Sequence, residues 1–157
     1  MTGSVAPRVW HHDEIVAAGL TALRHGGVAG APAIDGRVLS VQATPVNGTS
    51  SQMAVGMSVL PAGYATPPHD HEAEELATVL SGEGVITIDG VDLPVRPGSV
   101  VLTPSRSRHV TAAGPDAPLV VWWTYAPAGS EQRWLDQGAG APASPDIGSQ
   151  PISRSSG

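Results

Sequence analysis

Pro67-Pro68-His69-Asp70-His71-Glu72-Ala73-Glu74-Glu75 is the stretch of this chain whose reading decides the fold. In an extended segment, histidines at i and i+2 point to the same side of the backbone. Pro67-Pro68 favours an extended entry, because proline fixes its own φ and biases its predecessor away from the helical region. Each imidazole offers a neutral nitrogen to a divalent cation, and Glu75, four residues beyond His71, adds a charged oxygen. A third imidazole comes much later, at His109.

Spacing says more than residue type. The run is Gly63, five residues, His69, one residue, His71, three residues, Glu75, six residues, Gly82. Downstream come Gly98, five residues, Pro104, one residue, Arg106, two residues, His109, three residues, Ala113. Together these resemble the two motifs of the cupin superfamily. Every fixed position of the first is filled, whereas the second matches in spacing and in three of its five fixed residues. Arg106 stands where the family has glycine, and Ala113 where it often has asparagine. The resemblance implies an all-β fold, the double-stranded β-helix or jelly-roll barrel. It implies His69, His71, Glu75 and His109 as ligands to one divalent metal, and it implies a homodimer.

The chain has 157 residues, consistent with one domain and a real core, and a net charge of −6 that suggests no nucleic-acid surface. Cysteine is absent, so histidine and carboxylate form the available ligand set. No apolar run is long enough for a membrane span, and residues 1–10 lack the apolar core of a secretory signal, so a cytoplasmic protein is expected. Phenylalanine is missing, while 19 glycines and 15 prolines favour short strands and turns.

One short helix is expected over 13–24, capped by Asp13, with Ile15, Leu20 and Leu23 near one face and Gly26-Gly27 as its stop. His11, His12 and His25 beside it read as surface residues. Strand-like runs follow at 37–43, 53–60, 76–80, 85–88, 91–95, 99–102, 109–113 and 119–125. Asp89-Gly90 marks a two-residue hairpin. The expected organisation is an arm and helix over 1–36, a barrel over 37–136, and a Gly/Ala/Pro/Ser-rich tail over 137–157.

Alternation puts Val121, Trp123 and Tyr125 on one face of the last strand and Val120, Trp122 and Thr124 on the other. One tryptophan therefore faces the lumen, while the other covers the outside or an interface. Met53, Val55, Met57 and Val59 also share a face. Met57, Trp123 and Tyr125 are the candidate pocket residues, and with them the substrate is apolar or aromatic. Arg106, just before the last ligand, is the candidate partner for a substrate carboxylate or phenolate.

Three imidazoles and one carboxylate leave open positions that suit Fe, Ni, Co or Mn; Zn, which prefers fewer ligands, is the less natural choice. The leading expectation is an O2-dependent dioxygenase of a small metabolite. In quercetinase-like cupins the residue equivalent to Glu75 is thought to accept a substrate proton, so Glu75 is the candidate catalytic base, with a purely ligating role as the alternative. Other readings are a non-redox cyclase, isomerase or lyase, as in polyketide pathways, and a binding protein without turnover.

Overall fold

The computed structural model describes residues 5–140 and 149–151; most of the expected tail lies outside the described residues. Strand β1 (Arg8–Trp10) leads into helix α1 (His12–Arg24), followed by β2 (Gly27–Val28), β3 (Ala31–Ile34), β4 (Arg37–Ala43) and β5 (Ala54–Leu60). Then come β6 (Glu74–Ser81), β7 (Gly84–Ile88), β8 (Val91–Val95), β9 (Val100–Thr103), β10 (His109–Ala113) and β11 (Leu119–Ala126). A one-turn helix α2 (Gln132–Leu135) and strand β12 (Ser149–Pro151) complete the order.

Two antiparallel sheets make the barrel. The larger has the order β2-β3-β4-β5-β11-β6-β9, the smaller β10-β7-β8, and β1 pairs separately with β12. The turn between β7 and β8 is the expected Asp89-Gly90, with φ of 47° and 83°, the double left-handed conformation of a type I′ hairpin. Asp35-Gly36 repeats it between β3 and β4, with φ of 49° and 83°. That hairpin carries the large sheet back into residues assigned from sequence to the arm.

Helix α1 begins one residue earlier than expected. Its N-cap is His11, without a side-chain cap, so Asp13 sits in the first turn and there complements the helix dipole. Ile15, Gly19 and Ala22 form its buried face, against β5. A Cβ on Gly19 would lie 2.8 Å from both the Met57 sulfur and a Val59 methyl. Glycine is what lets the helix approach this closely.

This packing decides which face of β5 looks inward. Val38, Met57, Val59 and Val120 are buried beneath α1, so the opposite residues, Ser58 and Leu60, look into the barrel. On β11 the lumen takes Val121, Trp123 and Tyr125. Trp122 instead lies outside, 5.3 Å from Trp10 between ring centroids. Gly56 stands directly opposite Trp123 in the β5–β11 ladder. Among the described residues, no helix is long and apolar enough to cross a membrane.

Candidate metal centre

The histidines reach one point from two directions. His109 opens β10, whereas His69 and His71 lie in the extended segment before β6. His69 and His109 form an antiparallel bridge: the His69 amide donates to the His109 carbonyl (3.1 Å) and the His109 amide to the His69 carbonyl (2.8 Å). Glu75 projects from β6, where its neighbours across the ladder are Thr103 on β9 and Tyr125 on β11. The ligating atoms of His69, His71 and His109 all lie within 4.8 Å of one another.

Tautomers follow from the backbone. Nδ1–H of His69 donates to the Pro67 carbonyl at 2.8 Å, that of His71 to Ala73 at 2.9 Å, and that of His109 to Ser107 at 2.9 Å. A carbonyl only accepts, so each neutral ring keeps its proton on Nδ1 and presents a lone pair on Nε2. Those lone pairs face an acceptor. Nε2 of His71 is 3.0 Å from Glu75 Oε2, and Nε2 of His109 is 3.5 Å from the same oxygen. His109 Nε2 is buried without a well-formed hydrogen bond. Lone pairs so opposed need a proton or a cation between them, and three imidazoles with one carboxylate are a suitable donor set for a divalent metal. The residues fit the ion.

Electrostatics agree in the metal-free state. Burial alone would raise the Glu75 carboxyl, but His109 and His71 outweigh it and hold the group down at about 2. Burial takes His69 down to about 4, with the positive charges of Arg37 and Arg133 acting in the same direction. Burial also disfavours charged His109, yet the Glu75 carboxylate wins and raises its pKa above 6.5. Tyr125 is buried, and both that burial and the Glu75 charge push its phenol upward, so it stays protonated. Its ring lies 4.8 Å from that of His71 and stacks on Trp123 at 4.5 Å.

A narrow cavity of about 30 Å³ opens beside the cluster, lined by His69, Glu75, His109, Trp123 and Tyr125 among others. Trp123 and Tyr125 line this cavity. Met57 does not: it is fully buried under α1, because both faces of β5 are covered and its parity puts it on the helix side. Arg106 does not either. Its side chain is 68% exposed and paired with Glu72 on the outer loop. The wall also holds residues that the sequence reading passed over, Arg37 and Trp134. An arginine opening a strand looks like a solvated flank; the Asp35-Gly36 turn before it was the available signal.

Residues 56–125 match the family model described as Cupin domain. The dimethylsulfoniopropionate lyase DddW of Ruegeria pomeroyi is 36% identical over 76 residues, covering 46% of this chain and 50% of that protein. The chain therefore spans about half the length of this curated relative. Among solved structures, one described as DMSP lyases RdDddP and RnDddQII superposes with a TM-score of 0.55 at 22% identity, over 59% of this chain and 48% of that one. The polyketide cyclase RemF of Streptomyces resistomycificus gives 0.53 at 20% identity, over 62% of this chain and 67% of that one. At these identities the two structures show the fold alone.

Proposed function

The chain is a member of the cupin superfamily, and on that premise we propose that it is a metal-dependent enzyme working by a non-redox route, proton abstraction with elimination or rearrangement. The observation that carries this is the Glu75 carboxylate, shared between His71 and His109 on a small buried cavity. The lyase relative at 36% identity supports it and moves the reading from the dioxygenase expected from sequence to the non-redox alternative.

A divalent ion held by His69, His71, Glu75 and His109 would supply Lewis-acid polarisation of a substrate oxygen. The chain's own groups do the rest. Among the described residues Glu75 is the one carboxylate on the cavity wall, which makes it the available proton acceptor. A carboxylate set between two imidazoles is a weak base, so the proton it takes must already be acidic. Tyr125 keeps its phenolic proton and is a donor beside the cluster. Leu39, Leu60, Val121 and Trp123 keep bulk water out.

The test is turnover of small substrates, beginning with dimethylsulfoniopropionate, with and without oxygen. Undiminished anaerobic turnover supports the proposal, and turnover that consumes O2 stoichiometrically contradicts it. Glu75→Gln is expected to keep part of its metal and lose at least about a hundredfold in turnover if Glu75 is the base. The dioxygenase remains a second reading, favoured by the open coordination positions that this ligand set leaves.

A further inference from the structure

Arg37 opens β4 with its side chain turned into the barrel, in step with Leu39 along the strand. It is 6% exposed and lines the same cavity as His69, Glu75 and His109. Buried arginine is normally paired, because its guanidinium is always charged and offers five donors. Here no carboxylate lies within ion-pairing distance of it among the described residues, and its Nε–H is buried without a hydrogen-bond partner. Its guanidinium carbon lies over the Trp134 ring, 5.2 Å from the ring centroid. Arg133 sits against the same ring at 4.2 Å, with buried and unpartnered Nε and Nη2. Trp123, on the cavity wall, has a buried indole N–H that is likewise unsatisfied.

Charge points the same way as the unmade bonds. Glu75 contributes one negative charge on the wall, while Arg37 on the same wall and Arg133 against the Trp134 ring supply two positive charges. The pocket is thus positive before any cation enters it. A desolvated, unpaired guanidinium costs several kcal/mol in general terms and persists where a ligand completes it. The planar fork fits a carboxylate with two parallel N–H···O bonds.

We propose that Arg37 is the carboxylate anchor of this pocket, and that the substrate is a small carboxylate whose acid group docks on its guanidinium while the rest faces the Glu75 cluster. This rests on the enzymatic reading above and narrows its substrate class. It also reverses the sequence expectation, since Arg37 rather than Arg106 meets the acid, and the substrate is anionic rather than merely apolar.

The experiment is calorimetric titration of the whole chain, metal-free, with propionate and with the neutral isostere propionamide. Propionate is expected to bind at least about tenfold more tightly than propionamide, and Arg37→Gln to remove that preference. Equal affinity of the wild type for the two probes overturns the proposal, as does a folded Arg37→Gln protein that keeps the preference. Should Arg37→Gln fail to fold, the wild-type Arg37 Nε–H resonance decides: a shift with propionate but not propionamide is expected, and no shift overturns it. Metal stoichiometry, measured separately, keeps the two readings apart. Wild type that binds propionate through Arg37 but cannot hold metal would sink the enzyme reading and leave the anchor standing.

Discussion

His69 and His109 are locked together by two reciprocal backbone hydrogen bonds, 3.1 and 2.8 Å long, which bring their rings to 4.2 Å between centroids. One residue comes from each motif, so the bridge joins the two halves of the candidate ligand set through main chain alone. A site assembled in this way does not need its ion in order to form.

Metal-free protein is therefore expected to keep its β-sheet circular dichroism after chelation. Reloading should raise the melting temperature without changing the spectrum. At a free ion concentration a hundredfold above Kd the gain is about 2.7 kcal/mol. Loss of sheet signal on chelation would contradict a preformed site.

Acid should release the ion in a defined order. The pKa of His109 is raised above 6.5 by Glu75, so protons compete with metal there first as pH falls, while His69, lowered to about 4, joins much later. Affinity should drop at least about tenfold per pH unit once His109 is protonated, with at least about one proton released per ion bound in that range. Titrations in weakly buffered solution measure both. Affinity that is flat from pH 8 to pH 5 would contradict the assignment of His109 as a ligand.

Arg106 occupies the left-handed region, with φ of 60°, and its amide donates to the His71 carbonyl at 2.8 Å. The family's glycine at this place has a physical reason, since a side chain there costs about 1–2 kcal/mol. Arg106→Gly removes that strain, loses an exposed pair with Glu72, and loosens the unfolded chain. The net expectation is a melting temperature unchanged or raised by a few degrees, with metal binding intact. A clear fall, or loss of the ion, would show that Arg106 does more than turn the chain.

Gly56 is the opposite case. A Cβ there would lie 2.2 Å from the Trp123 ring and 2.3 Å from the Ser40 carbonyl. Gly56→Ala should destabilise the barrel by about 2 kcal/mol or more, because the ring that walls the cavity has nowhere to go. Denaturant unfolding checks it, and a wild-type midpoint would contradict the packing described.

The runs 37–43, 91–95 and 109–113 end where β4, β8 and β10 end, because turn residues bracket them. β3 went unread, because Pro32 sits inside it and argues against a strand. The tautomers that aim Nε2 of each histidine depend on carbonyls of Pro67, Ala73 and Ser107, which no residue pattern announces. Met57 shows a different limit. Alternation groups it with Val55 and Val59, but a strand covered on both faces has no solvent side to mark, and its polar residue, Ser58, lies on the lumen face. Only the approach of α1 through Gly19 settles it. Arg37 was hidden for the converse reason, since a charged residue inside a barrel violates the pattern that sequence reading trusts.

The central claim is a metal centre on His69, His71, Glu75 and His109. Elemental analysis of protein purified without chelator or affinity metal, beside His71→Ala, tests it most directly. About one equivalent of a first-row divalent ion is expected in the wild type and none in the variant, at equal β-sheet content. Wild type that is empty and cannot be reloaded, or a variant that loads as well as wild type, would contradict it.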